Sequence, residues 1–443
     1  AIYNFDYGLD ALNDDLKPFW QEFFDQSPGL ISALDLFSMQ LRSTGSGVLI
    51  SAALDFNESV SRQIVQSNDD LPDAGAAIQP LVAHVNAFAD TTLSTKIYVV
   101  RNHNNNQREL VFQDALNQLY LLTDQGLVQW KRKVSGSIRG DISQIDYYNN
   151  RKLQYLFLTD SALYVVDRNG DDVEGFPKAL NTELALEGHS VVDYDNTKRY
   201  RYATADRRGN VYLYKKEGEQ LEGWNPNRIG APLLSMPEHV RIRGRDCFVM
   251  VDRQGNVHLT NRRGEYYPGF PYKVNKRLGG EVLVVKGADF AKSRVVVASE
   301  NGEILNLDFN GKVVSRNQLL RPSAQSLFKL VKDKLNNGFV IIRQDRDEAT
   351  FFDQSGDEMF TVSAGANQNI EFGFYNFRND SEVFSVHDLG EQKLSLYNTQ
   401  GGTLLDRPLN ATEPIGIIYY QNRAEYELFV NFANQMAIYK VAK

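Results

Sequence analysis

The fold is decided by the stretch Leu163-Tyr-Val-Val-Asp-Arg-Asn-Gly170, in which an alternating apolar segment runs into a polar turn that ends in glycine. The same phrase recurs along the chain, and its glycines are Gly126, Gly170, Gly218, Gly264, Gly311, Gly356 and Gly401. They are spaced by 44, 48, 46, 47, 45 and 45 residues. Glycine is expected at these positions because a tight hairpin needs a positive φ, which a residue without a Cβ adopts without a clash.

Each repeat also contains further strand-like segments upstream of its hairpin. Gln154-Tyr-Leu-Phe-Leu is typical of a second strand, and Ile97-Tyr-Val-Val of a first and innermost strand. A period near 45 residues with four short strands is typical of the blades of a β-propeller. Seven full blades fit between Lys96 and about Asn410, so the sequence predicts an all-β propeller.

The last thirty residues provide three more strand-like segments, which begin at Ile415, Tyr426 and Met436. We expect a strand from the first 95 residues to complete this eighth blade, because closing the ring removes exposed sheet edges. The segment from Val48 to Phe56 is the leading candidate. The alternatives are an eighth blade of three strands, or seven blades with an appended hairpin.

Residues 1–95 differ from the repeats and form a small α+β segment in this interpretation. The apolar spacing from Leu9 to Gln26 predicts a helix, with a start or break at Pro18. Ser38 to Phe56 predicts a hairpin, and Asn57 to Thr95 an irregular linker. We therefore expect two parts, residues 1–95, as the tail of a larger domain, and a propeller from residue 96 to 443.

Composition and charge limit the classes of partner. The net charge is −8 and no block of Lys and Arg occurs in the sequence, so we expect no nucleic-acid partner. No apolar run approaches the ~20 residues that span a bilayer, so we expect no transmembrane segment. The chain begins at Ala1 without signal-peptide features, from which we expect that any export signal has been removed. Cys247 is the only cysteine and lies in a strand pattern typical of a buried residue.

Three phrases in the second and third repeats resemble a known group of proteins. They are Gly140 to Phe157, Leu163 to Pro177, and Val192 to Tyr202. These segments are similar to a family of large, functionally uncharacterised propeller proteins of Bacteroidetes that are exported to the cell envelope. More loosely, Gly126-Leu-Val-Gln-Trp-Lys resembles quinoprotein-like propellers, including outer-membrane assembly scaffolds. The resemblance implies a cell-envelope, periplasmic or outer-membrane-associated location and transfers no activity.

Quinoprotein enzymes of this architecture bind a quinone above a calcium ion, often under a vicinal disulfide that a chain with one cysteine lacks. We therefore expect no quinone cofactor, and we expect Trp130 and Trp224 to pack one blade against the next. Calcium is a separate alternative at Asp193-Tyr-Asp195-Asn196, which resembles a degenerate calcium loop. The competing interpretation is a plain turn in which Asp and Asn bind their own backbone.

Arg101-Asn102-His103 is the most polar patch of the first repeat and follows its innermost strand. Loops at strand ends rim a face of the ring, so these three residues are candidate ligand contacts, with a solvated turn as the alternative. The six histidines are dispersed and form no pair with metal-ligand spacing. No nucleophile elbow, P-loop or dinucleotide motif occurs, so we identify no catalytic residue.

These observations favour a non-catalytic binding or scaffold propeller of the cell envelope that recognises a protein or glycan. One alternative is an enzyme or carbohydrate-processing propeller with residues assembled in the central funnel. That alternative predicts convergent acids, His and Arg with shifted pKa values. The other alternative is a structural domain that supports a larger protein. The sequence favours the non-enzymatic interpretation without excluding an enzyme.

Overall fold

The computed structural model describes residues 34–44, 47–56, 81–87 and 91–443, except residues 161, 181, 183, 225, 336–337, 366–368 and 379–380. The chain divides into two compact units, Ala1–Ala76 and Ala77–Lys443. In the first unit, β1 (Leu34–Thr44) and β2 (Gly47–Phe56) form an antiparallel hairpin. This confirms the hairpin predicted between Ser38 and Phe56. The helix predicted over Leu9–Gln26 lies outside the described residues.

The second unit is a ring of eight four-stranded antiparallel sheets, which confirms the predicted propeller. In seven blades the four strands follow one another along the chain. Blade 1 contains β4 (Tyr98–Arg101), β5 (Arg108–Gln113), β6 (Gln118–Thr123) and β7 (Val128–Lys133). Blade 2 contains β8 (Ile138–Ile145), β9 (Gln154–Thr159), β10 (Ala162–Val166) and β11 (Lys178–Ala179). Blade 3 contains β12 (Leu186–Val192), β13 (Arg201–Asp206), β14 (Asn210–Lys215) and β15 (Asn227–Arg228).

The next four blades repeat the same order. Blade 4 contains β16 (Glu238–Ile242), β17 (Arg245–Val251), β18 (Asn256–Thr260) and β19 (Tyr272–Lys273). Blade 5 contains β20 (Leu283–Val285), β21 (Arg294–Ala298), β22 (Glu303–Asp308) and β23 (Val313–Gln318). Blade 6 contains β24 (Leu327–Lys332), β25 (Phe339–Asp345), β26 (Glu348–Phe352) and β27 (Glu358–Ser363). Blade 7 contains β28 (Ile370–Asn376), β29 (Glu382–Asp388), β30 (Lys393–Tyr397) and β31 (Leu409–Asn410).

Blade 8 joins the two ends of the unit. Its inner strands are β32 (Gly416–Tyr420), β33 (Glu425–Phe432) and β34 (Gln435–Ala442), and its outermost strand is β3 (Leu81–Ala87). β3 pairs antiparallel with β34, from Leu81 opposite Lys440 to Ala87 opposite Gln435. The prediction that an early strand completes the last blade is therefore confirmed, and both alternatives with an incomplete ring are wrong.

The choice of Val48–Phe56 as the closing strand is wrong. Those residues are already paired within the β1–β2 hairpin, so their backbone groups have a local partner. The closing strand instead comes from Asn57–Thr95, which was expected to be an irregular linker throughout. In its sequence, Leu-Val-Ala-His-Val-Asn-Ala, apolar and polar residues alternate only weakly. The pattern of hydrophobic residues therefore did not distinguish this strand from the polar segment around it.

The hydrophobic core lies between neighbouring blades as stacked layers of aromatic and aliphatic side chains. Phe351 of blade 6 and Phe384 of blade 7 are fully buried, with ring centroids 5.5 Å apart at 75°. Phe112 of blade 1 belongs to one cluster with Phe429 and Ile438 of blade 8, so the core also crosses the closure. Burying a Phe side chain contributes about 1.5–3 kcal/mol, so each blade depends on its neighbours for stability.

The predicted packing of tryptophan between blades is confirmed. Trp130 Nε1 donates a 2.7 Å hydrogen bond to the carbonyl oxygen of Arg168, in the third-to-fourth-strand hairpin of the next blade. Trp224 Nε1 likewise donates a 3.0 Å hydrogen bond to the carbonyl oxygen of Arg262, in the corresponding hairpin of blade 4. The hairpin glycines have positive φ, +92° at Gly170 and +82° at Gly264. The Trp130 ring would lie 3.0 Å from a Cβ at Gly170, so glycine suits both the turn and the packing.

Candidate functional site

Successive strands of each blade are antiparallel, so the loops after the first and third strands lie on one face of the ring. Neighbouring inner strands run parallel where bridges join them, as between Gly280 and Leu330 and between Asp333 and Phe374. All loops between first and second strands therefore share that face, which we call the first-loop face. Both sites predicted from the sequence lie on it, in blades 1 and 3, with blade 2 between them.

Arg101, Asn102 and His103 mainly join blade 1 to blade 2. The Gln144 side chain bonds both backbone groups of Arg101, each at 2.8 Å. Asn102 is buried and donates to Glu109 at 3.0 Å, and Glu109 in turn pairs with Arg168 of blade 2. These contacts occupy the Asn102 side chain and the backbone groups of Arg101, both of which belong to the candidate ligand patch.

His103 completes the same junction. Its Nδ1 accepts a 3.1 Å hydrogen bond from the backbone N–H of Leu153 in blade 2. Partial burial and the nearby Arg168 and Lys152 cations lower the pKa of the imidazole from its usual value. A neutral imidazole suits the acceptor role of Nδ1. The side chain of Arg101 remains exposed on the rim and is the member of the trio available to a ligand.

Asp193, Asp195 and Asn196 form the turn between β12 and β13. Asp193 accepts hydrogen bonds from the backbone N–H groups of Thr197, at 3.1 Å, and Lys198, at 2.9 Å. Asp195 pairs with Arg241 of blade 4. Both carboxylates therefore have protein donors, the pattern of a self-bonded turn. Among the described residues, no group of three or more His, Cys, Asp or Glu side chains could hold a metal ion.

A cleft of about 510 Å³ opens on the first-loop face where the loops of blades 3, 4 and 5 meet. It is lined by Asp193, Tyr194, Asp195, Asn196, His239, Val240, Arg241, Gly244 and Lys286. The Arg201 guanidinium lies 4.7 Å from the centroid of the Tyr194 ring, which forms one wall of the cleft. Burial raises the pKa of Tyr194 to about 12, so its phenol stays protonated at neutral pH.

A histidine and an arginine contact this tyrosine, His239 with its ring centroid 5.0 Å from that of Tyr194 and Arg241 through a 3.3 Å hydrogen bond to the Tyr194 carbonyl. His239 Nε2 lies 3.1 Å from Asp246 Oδ1, and Arg241 lies 3.4 Å from the same oxygen. Burial lowers the pKa of His239 despite its contact with the carboxylate, so the ring is mainly neutral near pH 7. The fixed positive charge of this wall is therefore carried by Arg241 and Lys286. Neither residue stands out in the sequence, because each lies at an ordinary strand end.

A second cavity, of about 490 Å³, lies at the centre of the ring. It is lined mainly by the inner strands of blades 1, 7 and 8, with contributions from Asp141 and Ile142 of blade 2 and Lys334 and Leu335 of blade 6. Lys96 and Asp141 form an ion pair at 2.5 Å across its wall. Tyr98 donates a 2.7 Å hydrogen bond to the carbonyl of Gly140.

The pKa of one acid beside the central cavity is shifted: Glu413 precedes Pro414, which lines the cavity. Burial raises the pKa of Glu413, and the nearby Glu371 carboxylate adds to the rise. Tyr375 lies in the same wall, and burial raises its pKa to about 12. Both residues precede or occupy inner strands that the sequence identified only as structural. The walls of this cavity carry both acids and cations, among them Asp141, Glu371 and Lys96, and no arginine is among its described lining residues.

Two other titratable groups are buried away from both cavities. Cys247 is buried, and burial raises the pKa of its thiol to about 11, which makes it a poor nucleophile. His189 of β12 is also buried, with Nε2 2.9 Å from the hydroxyl oxygen of Ser143 in β8. Burial lowers the pKa of His189 to about 4. Neither residue lines the cleft or the central cavity.

Comparison with known proteins supports the fold. The chain matches no protein-family model, and a search among curated proteins finds no relative. Solved structures do share the architecture. The chain has the propeller fold. BamB from Moraxella catarrhalis is 11% identical, with a TM-score of 0.50 over 81% of this chain and 97% of BamB.

Two further structures extend the comparison. Sqt1 from Saccharomyces cerevisiae is 10% identical, with a TM-score of 0.54 over 83% of this chain and 100% of Sqt1. The quinohemoprotein alcohol dehydrogenase from Comamonas testosteroni is 10% identical, with a TM-score of 0.51 over 82% of this chain and 77% of the dehydrogenase chain. The expected loose similarity to quinoprotein-like propellers is thus supported at the level of fold. In the part of the chain that the structure describes, no helix has the length and apolar character to cross a membrane.

Proposed function

We propose that this propeller is a non-catalytic binding module of the cell envelope that recognises a protein partner through its first-loop face. The observation that carries the proposal is the cleft between the loops of blades 3, 4 and 5. Four of its lining side chains are held by hydrogen bonds or ion pairs: Asp193, Asp195, His239 and Arg241. Concave sites built on rigid scaffolds are typical binding sites. A glycan partner is the alternative occupant of the same face.

The loops of this face are held by their own side chains. Asp146 accepts hydrogen bonds from the backbone N–H groups of Asn150 and Arg151, each at 2.8 Å. Asp193 does the same in blade 3, and Asp333 accepts from Leu335 at 2.9 Å in blade 6. Loops ordered before binding lose less conformational entropy when a partner docks, which favours affinity.

The location in the cell envelope rests on the resemblance of the second and third repeats to exported propellers. The similarity to BamB is compatible with it but is a likeness of fold. The role as a binding module likewise rests on the site, because propellers of one fold carry many functions.

The proposal can be tested by photo-crosslinking in envelope extract of the source organism. A crosslinking amino acid is placed at Tyr148, which is exposed in the blade 2 loop, or at Arg243 in the blade 4 loop. The control position is Lys131, exposed on the outer strand β7. We expect a stoichiometric partner protein to crosslink from the first-loop positions and not from Lys131. Recovery of the propeller alone, or equal crosslinking at all positions, would contradict the proposal.

A second candidate function is carbohydrate processing in the central cavity, which Glu371 lines and beside which burial raises the pKa of Glu413. A carboxyl whose pKa is raised, near a second carboxylate, is one element of the arrangement that glycoside hydrolysis uses. The test is hydrolysis of a panel of envelope polysaccharides by the wild type and by Glu413→Gln and Glu371→Gln. Activity that both substitutions abolish without lowering the melting temperature would establish this function in place of simple binding.

A further inference from the structure

The loops around the cleft carry an unusual excess of positive charge. The segments 193–200, 241–246 and 286–294 contain eight Lys and Arg against four Asp and Glu. By contrast, residues 77–443 as a whole contain 45 Lys and Arg against 44 Asp and Glu, and residues 1–76 contain 3 against 12. The unit that carries the propeller is therefore close to neutral, and this part of its surface is locally basic.

Five exposed cations form the group that we call the basic loop cluster: Arg199, Arg243, Arg245, Lys286 and Lys292. They come from the loops of blades 3, 4 and 5, at positions about 45 residues apart in the chain. No stretch of sequence therefore contains them together. Asp195 is the exposed acid among the same segments, and it is paired with Arg241.

Contacts between the loops hold the cluster together. Arg243 Nε donates a 3.1 Å hydrogen bond to the carbonyl of Ala288 in the blade 5 loop. The Arg245 guanidinium lies 5.6 Å from the centroid of the Phe290 ring in that same loop. The pairing of Arg241 with Asp195 joins blade 4 to blade 3. The three loops that carry the positive groups are thus in contact with one another.

Most of these cations have no acidic partner within the propeller. Arg199, Arg245, Lys286 and Lys292 form no ion pair with any described residue, and the pair of Arg243 with Asp289 is long, at 3.4 Å. Like charges held together repel one another, so a ligand that brings negative charge is favoured here. Arg241 shows the chemistry, because it already binds the carboxylate of Asp195.

The arrangement favours carboxylates over a continuous polyanion. Asp193, Asp195 and Asp289 alternate with the cations, and they would repel a chain of closely spaced phosphates or sulfates. Separate carboxylates on a flexible peptide can reach Lys286 and the arginines while avoiding these acids. Aromatic and arginine groups are also frequent in protein-binding surfaces.

We infer that the basic loop cluster binds an acidic segment, rich in Asp and Glu, of a partner protein. This inference rests on the proposed function and specifies the chemistry of its partner. Electrostatic complementarity of this kind sets partner choice and speeds encounter. Because the cations are exposed, the interaction is screened by salt and weakens as ionic strength rises.

The test uses the full chain and a fluorescein-labelled peptide of ten glutamates, with a ten-glutamine peptide as the reference. The variant combines Arg245→Glu, Lys286→Glu and Lys292→Glu. The matched control combines Lys131→Glu, Lys133→Glu and Lys273→Glu on outer strands away from the first-loop face, and it makes the same change in net charge. We expect the cluster variant to weaken binding of the glutamate peptide by about tenfold or more, and the control to weaken it much less.

Several results would overturn the inference. One is absence of binding by the wild type, and another is an equal loss in the cluster variant and the control. A third is binding of heparin or of phosphatidylglycerol vesicles that depends on the cluster while the glutamate peptide does not bind. If the triple reversal does not fold, the variant Arg245→Gln, Lys286→Gln, Lys292→Gln replaces it, with glutamine at the control positions.

The envelope crosslinking experiment separates the two proposals. If the cluster variant crosslinks the same partner as the wild type with equal yield, the binding function stands and the cluster is not its site. If neither protein crosslinks a partner, the proposed function fails. If the glutamate peptide still binds through the basic loop cluster in that case, the cluster binds acidic peptides but has no partner in the envelope extract.

Discussion

The indole nitrogen of Trp224, in blade 3, donates a 3.0 Å hydrogen bond to the carbonyl oxygen of Arg262, in the third-to-fourth-strand hairpin of blade 4. Trp224 is 0% exposed, and its ring lies against Phe248 with centroids 4.9 Å apart. One side chain thus fills the space between two blades and fixes the hairpin turn of the second. Trp130 and Arg168 repeat this relationship between blades 1 and 2, so it is a recurring device of the ring.

Removing the Trp224 indole should destabilise the protein. Trp224→Ala leaves a cavity and should cost about 3–5 kcal/mol, as for large-to-small changes in a core. Trp224→Phe keeps much of the packing but leaves the Arg262 carbonyl without its donor, which should cost about 1–3 kcal/mol. Urea unfolding followed by tyrosine fluorescence and circular dichroism measures both. Trp130→Ala is the comparison and should cost less, because Trp130 is only partly buried. Equal midpoints for wild type and Trp224→Ala would refute this role.

Two glycines with similar φ should respond differently to alanine. Gly209 has φ +76° and Gly244 has φ +79°, so the backbone strain of alanine is similar, at about 1–2 kcal/mol. A Cβ at Gly209 would lie 2.0 Å from the carbonyl oxygen of Ala231, whereas a Cβ at Gly244 meets nothing within 4 Å. Gly209→Ala should therefore lower the melting temperature clearly more than Gly244→Ala. Equal shifts would show that φ alone sets the requirement for glycine.

Disrupting the closing strand should weaken the whole ring. Val85 and Asn86 of β3 lie opposite Ala437 and Met436 of β34. Successive N–H groups of a strand point to opposite sides, so replacing both residues with proline removes the donor that faces β34. We expect the melting temperature to fall by at least about 5 °C, since the edge of blade 8 is then exposed. A protein beginning at residue 77 should keep its stability, whereas one beginning at residue 91 should lose it. If both truncated proteins melt alike, β3 does not close the ring.

Acid should destabilise the fold through His189. Burial lowers its pKa to about 4, below the ~6.5 of an unfolded chain. The unfolded state therefore binds more protons between these pH values, so stability is complete above pH 6.5 and declines as pH falls toward 4. The loss at pH 4 should reach roughly 2–3 kcal/mol. His189→Gln can retain a bond to Ser143 and should flatten the stability profile in this range. If the free energy of unfolding of this variant depends on pH as steeply as that of the wild type, groups other than His189 cause the acid sensitivity.

Substitution of Asp193 has different expected effects if this residue is a calcium ligand and if it only stabilises a turn. As a turn residue, Asp193 accepts two backbone hydrogen bonds, so Asp193→Ala should cost about 1–2 kcal/mol in EDTA and in calcium alike. A bound ion would instead raise the melting temperature of the wild type with calcium and leave that of Asp193→Ala unchanged. Thermal unfolding of both proteins is measured in about 1 mM EDTA and in about 5 mM calcium, a concentration above the dissociation constants typical of extracellular calcium sites. The comparison distinguishes a calcium site from a plain turn.

Much of the fold could be predicted because the blade is a local structure. Each hairpin joins strands that are neighbours in sequence, and glycines such as Gly170 and Gly264 mark its turns. Alternating apolar residues then define the strands on either side. The candidate site was harder to predict from the sequence. Asn102 and His103 are polar residues at a strand end, and only their contacts with blade 2 show that they mainly join blades.

By itself the sequence determined the period, the blades and the need for a closing strand, since all three follow from local hydrogen bonding and apolar alternation. Only the tertiary structure decided that Leu81–Ala87 closes the ring, because pairing with Gln435–Lys440 joins residues more than 340 positions apart. It also decided where function can reside. Arg241 and Lys286 are ordinary residues at strand ends in the sequence, and the rotation from blade to blade places both in the lining of one cleft.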